Sequence, residues 1–87
     1  MMKLHTDHTY TLTLHVHNQP GVLVRCAQVF ARRGHNIESL HVSNDRSNPA
    51  FSTMRITAFG QPEMMDQVVA QLHKLIDVTN VTVHEES

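Results

Sequence analysis

The stretch HVHNQPGVL, residues 15 to 23, sets two imidazoles, two side-chain amides and a Pro-Gly pair at what reads as a strand-to-helix joint. Two kinds of chemistry suit it. Free N–H groups in the first turn of a helix attract a carboxylate or phosphate. Gly21 carries no side chain to block the approach, and the Asn18 amide is able to hydrogen-bond an amino or carboxyl group. Together they fit a small zwitterion. A plain helix start needs the same residues with no ligand, Asn18 or Gln19 capping and Pro20 in the first turn. The second chemistry is metal binding, because His15 and His17 at i and i+2 of a strand project to the same side. That site needs a further ligand, from His41, from His84 or from another chain. Cys26 falls on an apolar helix face, where a thiol is ordinarily core.

Catalysis has weaker support. Glu63 and Asp66 read as helix-start residues and Glu85 and Glu86 as a solvated tail, and no Ser or Cys stands beside a base in a recognisable nucleophile motif. The expectation is a protein that is not an enzyme.

The elements that position these residues follow from periodicity. Tyr10, Leu12, Leu14 and Val16 alternate with Thr11, Thr13, His15 and His17, the pattern of a half-buried strand. Val22, Leu23, Cys26, Ala27, Val29 and Phe30 recur at helical spacing, with Arg32 and Arg33 in the last turn and Gly34 to close it. A second strand spans residues 36 to 42, and the turn-rich run 43 to 49 makes a hairpin to a third over residues 51 to 59. Met65, Val68, Val69, Leu72, Leu75 and Ile76 form a second helix, and Val81 and Val83 alternate in a closing strand from Val78. The order β-α-β-β-α-β with two right-handed crossovers predicts an α+β ferredoxin-like plait, a four-stranded antiparallel sheet with both helices on one face.

Composition bounds the reading. The 87 residues, 40% hydrophobic and 17% charged, suffice for one core, so a single domain over 1–87 is expected, centred on residues 10 to 84. A domain this small gains burial by self-association, which predicts an oligomer. Seven Lys and Arg against eight Asp and Glu leave a charge of −1 with no basic stripe, which argues against nucleic acid. The RNA recognition motif shares this element order, but AFSTMRITAF lacks its stacking pattern, and Phe51 and Phe59 on the open face suit packing against another sheet better. No stretch approaches the ~20 apolar residues of a membrane span, the first ten residues lack the apolar core of a secretion signal, and the lone Cys26 fits a reducing compartment. A soluble cytoplasmic protein with no membrane partner is expected.

Three stretches, NQPGVL, FARRGHNIESLHV and QLHKLIDVTNV, together resemble the ACT-domain regulatory (small) subunit of acetolactate synthase, also called acetohydroxyacid synthase. The resemblance runs from about Tyr10 to His84 and implies a homodimer of plaits side by side, binding an effector amino acid, typically valine, at the junction. Asn18, Gln19, Pro20, Gly21, Val22 and Leu23 would come from one protomer, and Asn36 and Ile37 from the other. Asparagine amides and helix-start N–H groups would hold the charged ends, and the aliphatic side chains would wall a short branched one. The resemblance also implies a catalytic (large) subunit as partner, carrying thiamine diphosphate, magnesium and FAD and condensing two 2-keto acids in branched-chain amino-acid biosynthesis. Arg32, Arg33 and residues 43 to 49 are surface candidates for docking it.

Two features depart from that family. The chain ends at Ser87 and so resembles the short single-domain type, some members of which respond poorly to valine. Family members often place an aromatic residue where His35 stands. The competing readings are a freestanding ACT-type amino-acid sensor and a metal-binding module built on His15 and His17.

Overall fold

The computed structural model describes residues 8–86, so the part of the leader reading that rests on residues 1–7 lies outside the described residues. The elements are β1 (His8–His17), α1 (Val22–Arg32), β2 (Asn36–Asn44), β3 (Phe51–Gly60), α2 (Pro62–His73) and β4 (Val78–Glu86). They build one antiparallel sheet in the order β2-β3-β1-β4, with α1 packed near β2 and α2 near β4. This is the expected plait.

The alternation in β1 does what its period requires. Tyr10, Leu12, Leu14 and Val16 are buried against the helices, while the intervening threonines and histidines line the open face. Met54, Ile56 and Ala58 of β3 join them, and Val22, Cys26 and Phe30 of α1 meet Met65, Val68 and Leu72 of α2 above. Burying a side chain such as Leu12 or Phe30 completely contributes about 1.5–3 kcal/mol, and this single core holds the domain together.

Several boundaries differ from expectation: β1 starts at His8 and β2 runs to Asn44, two residues beyond the expected Tyr10 and Val42. α1 begins at Val22, with Pro20 in the preceding turn, and its N-cap is Gly21 at φ +84°, so neither Asn18 nor Gln19 caps it. α2 ends at His73, and Ile76 is 91% exposed in the turn that follows. The helical spacing of Leu75 and Ile76 is therefore a coincidence of a tight turn, in which the Val78 N–H bonds the Leu75 carbonyl at 3.1 Å. Glu85 is no loose tail: it lies in β4, level with Tyr10, and its carboxylate is 2.8 Å from the His8 imidazole. Gly34 closes α1 at φ +75°, as expected.

Candidate functional site

The strand-to-helix corner is held in shape by backbone bonds. The His17 N–H donates to the Asp77 carbonyl and the Asn18 N–H to the Ala50 carbonyl, each at 2.7 Å. Asn18 also turns its side-chain amide toward the Pro49 carbonyl, 3.4 Å away, so the corner is tied to the β2–β3 hairpin. The Arg25 N–H reaches back to the Gly21 carbonyl at 3.0 Å. The N–H groups of Leu23 and Val24 precede that bond, where helix geometry supplies no acceptor, and no side chain caps them. Open N–H groups of this kind are what a carboxylate or phosphate would bind.

The Arg25 side chain folds over Gly21, where an added Cβ would meet its Nη1 at 3.2 Å, and its other nitrogen donates to the Asp77 carboxylate. The His17 imidazole lies 3.5 Å from the same carboxylate. Beside the helix start, Arg25 and Asp77 thus form an ion pair, with the His17 imidazole near its acidic member.

A small cavity of about 70 Å³ opens here among Val16, His17, Asn18, Gln19, Val22, Leu23, Val42, Ser52 and Met54. Small-molecule pockets are usually ~300–1,000 Å³, so this cavity is smaller than such pockets are. Sequence reading missed Val42 and Ser52. The signal for Val42 was its apolar side chain two positions from Leu40, the spacing of one strand face, and its register with Met54 turns that face toward the helices.

Asn36 and Ile37 lie elsewhere. Asn36 registers with Phe59, eight positions along β3 from the Phe51 that registers with His17, a separation of about 26 Å. The residues expected to share a site thus fall into two groups at opposite ends of the sheet. Pro20 and Gly21 are exposed in the corner turn, outside the small cavity.

His15 and His17 do project from one face, but Phe51 lies between them. Its ring stacks on His15 at 4.7 Å and on His17 at 5.1 Å between centroids. The Thr79 hydroxyl donates to the His15 carbonyl at 2.8 Å and lies 3.0 Å from His15 Nδ1. His15 Nε2 faces the Asp45 carboxylate at 3.4 Å. Asp45 is held below the usual carboxylate range, first by the Ser47 hydroxyl, then by the Ser47 N–H and by His15. His41 registers with Arg55 on β3 and His84 with Thr11 on β1, both away from His15. No group of three His, Cys, Asp or Glu side chains gathers as a ligand set among the described residues. Phe59 is exposed near Asn36, and Arg33 donates to Gln67 at 3.2 Å while Arg32 stays exposed.

The fold is a ferredoxin-like plait, and the family match given below makes it an ACT-type domain. The ACT domain of the Chlorobium tepidum GTP pyrophosphokinase superposes with a TM-score of 0.76 over 91% of this chain and all of that one, at 15% identity. The family model for the AHAS small subunit-like ACT domain matches residues 12–80, and the chain belongs to that family. It is 44% identical over 77 residues to the acetolactate synthase small subunit of Mycobacterium leprae, covering 88% of this chain and 45% of that protein. The isozyme 3 small subunit of Escherichia coli is 39% identical over 71 residues, covering 82% and 43%. The crystal structure of the Thermotoga maritima small subunit superposes with a TM-score of 0.76 at 36% identity, covering 86% of this chain and 46% of that one. The chain spans about half the length of the curated relatives it matches. No helix among the described residues is long and apolar enough to cross a membrane.

Proposed function

We propose that the chain is a non-catalytic regulatory part of acetolactate synthase, pairing with a second copy through β2, binding valine at the two junctions and stimulating a catalytic subunit. The observation that carries the reading is the geometry of the β2 edge. Among the described residues β2 has no neighbour beyond it in the sheet; Leu40 and Val42 are 40% and 45% exposed there, and Leu23 of α1, which lines a cavity with Val42, is exposed as well. An open apolar edge is a template for another strand.

Symmetry then does the rest. Two β2 strands paired antiparallel about a twofold axis near Leu40 set the beginning of one against the end of the other. The end of β2 is at the corner, since Asn44 registers with Ser52 and Ser52 with Val16. The partner's Asn36 and Ile37 would therefore arrive beside Asn18, Gly21 and Leu23, enlarging the 70 Å³ cavity into a complete pocket. Helix-start N–H groups and Arg25 would take the carboxylate, asparagine amides the ammonium, and Val22, Leu23, Val42 and Ile37 the branched side chain.

Valine preferring one arrangement of the pair couples to the enzyme with ~1–3 kcal/mol, enough for feedback. The thiamine diphosphate, magnesium and FAD that such a synthase uses belong in this reading to the catalytic partner. Mixing this chain with a purified large subunit and assaying with and without valine tests the proposal. Association with altered activity is expected, and a pair that neither co-migrates nor changes rate would defeat it.

A further inference from the structure

On the far edge of the sheet from β2, a cleft of about 360 Å³ opens between α2 and β4, lined by Tyr10, Pro62, Met65, Asp66, Val69, Val83 and Glu85. Its walls are apolar: Pro62, Met65 and Val69 from the helix and Val83, 41% exposed, from the strand. Two carboxylates, Asp66 and Glu85, also line it. Tyr10 lines the cleft while only 4% exposed, and among the described residues its hydroxyl has no hydrogen-bond partner. An unpaired buried hydroxyl is costly, so a polar group that reaches it is favoured, and the two carboxylates beside it select a cationic one.

The charges agree. Burial and then Glu85, Asp66 and Glu63 all push the Tyr10 hydroxyl above its ordinary 10.0, so negative potential converges on it. Asp66 and Glu63 lie on α2 near its start, where the helix dipole favours them, but that explains neither Glu85 nor the orphaned hydroxyl. The His8 imidazole, 2.8 Å from Glu85, is the cation-capable group the structure sets beside one of these carboxylates.

The geometry points to a binding site for an alkylammonium or alkylguanidinium group, its methylene stem against Met65, Val69 and Val83 and its charged head among Asp66, Glu85 and the Tyr10 oxygen. Long cationic side chains bury apolar stems while keeping polar heads satisfied in this way. The chemistry is that of a lysine or arginine side chain or of a free aliphatic diamine. The inference does not depend on the valine reading, which concerns the opposite edge.

Amide NMR titrations of the full chain test it, with three probes: Nα-acetyl-lysine methylamide, cadaverine and the neutral Nα-acetyl-norleucine methylamide. Saturable shifts at Tyr10, Asp66 and Val83 are expected with at least one of the two amines, with the norleucine probe about tenfold weaker. The better binder among the amines assigns the source, a polypeptide side chain or a free diamine. Asp66→Asn with Glu85→Gln should weaken binding about tenfold, and Tyr10→Phe, which keeps the ring, should weaken it measurably. Equal response to norleucine, no saturable response to either amine, or binding unchanged in the Asp66→Asn, Glu85→Gln variant would overturn the assignment.

Discussion

The imidazole of His35 lies over the bare α-carbon of Gly60: a Cβ there would sit 2.2 Å from His35 Cε1 and 2.3 Å from Nδ1. His35 is 7% exposed and neither ring nitrogen has a partner among the described residues, so its burial rests on packing alone. Gly60→Ala should therefore displace the ring and cost about 1–3 kcal/mol. His35→Ala should relieve most of that cost, and urea melts of the two single variants and the double variant measure the coupling.

Gly21 carries a second test. At φ +84° any L-residue is strained by about 1–2 kcal/mol, and its Cβ would meet Arg25. Gly21→Ala should lower stability by about that amount with a modest effect on valine. Gly21→Asp places a carboxylate where the ligand's own would sit, and calorimetry should show valine affinity falling by more than tenfold. Equal affinities in the two variants would place the pocket elsewhere.

The β2 edge should decide assembly. Leu40→Lys sets a charge at the centre of the exposed strand, where two copies would face each other with like charges. Sedimentation should show a monomer with unchanged far-UV circular dichroism, and valine binding should be lost with the pair.

The Cys26 thiol is wholly buried, and burial pushes it from its ordinary 9.0 up to about 11, with Arg25 opposing and Asp77 assisting. The unfolded chain loses this proton first, so the thiol's contribution is complete below pH 9 and declines as pH rises toward 11. The loss approaches ~3 kcal/mol. Denaturation of the native chain should steepen with pH over that window relative to Cys26→Ala, and thiol reagents should label Cys26 only on unfolding.

Much of this was legible in one dimension. The alternation from Tyr10 to Val16, the spacing of Val22, Cys26 and Phe30, and the closing Gly34 are local patterns with a period of 2 or 3.6, and they dictate which face is buried before any partner is known. The corner was legible only as a strand-to-helix joint: its N-cap proved to be Gly21, and its shape rests on bonds to Ala50 and Asp77, which no local pattern reveals. The end of α2 was misread because a turn that buries Leu75 partly and exposes Ile76 mimics helical spacing over four residues.

What tertiary structure alone decided are the contacts made by chance of neither period. Phe51 stands between His15 and His17 only because β3 registers there, and that converts a metal-like pair into a stacked trio. Asn36 is about 26 Å from the corner because the chain crosses the sheet lengthwise before beginning β2. The cleft around Tyr10 needs α2, β4 and β1 together, drawn from sequence positions 10, 62 to 69 and 83 to 85. Side-chain periodicity encodes which way a residue faces; strand register and helix docking, fixed by the summed burial of the core, encode whom it meets.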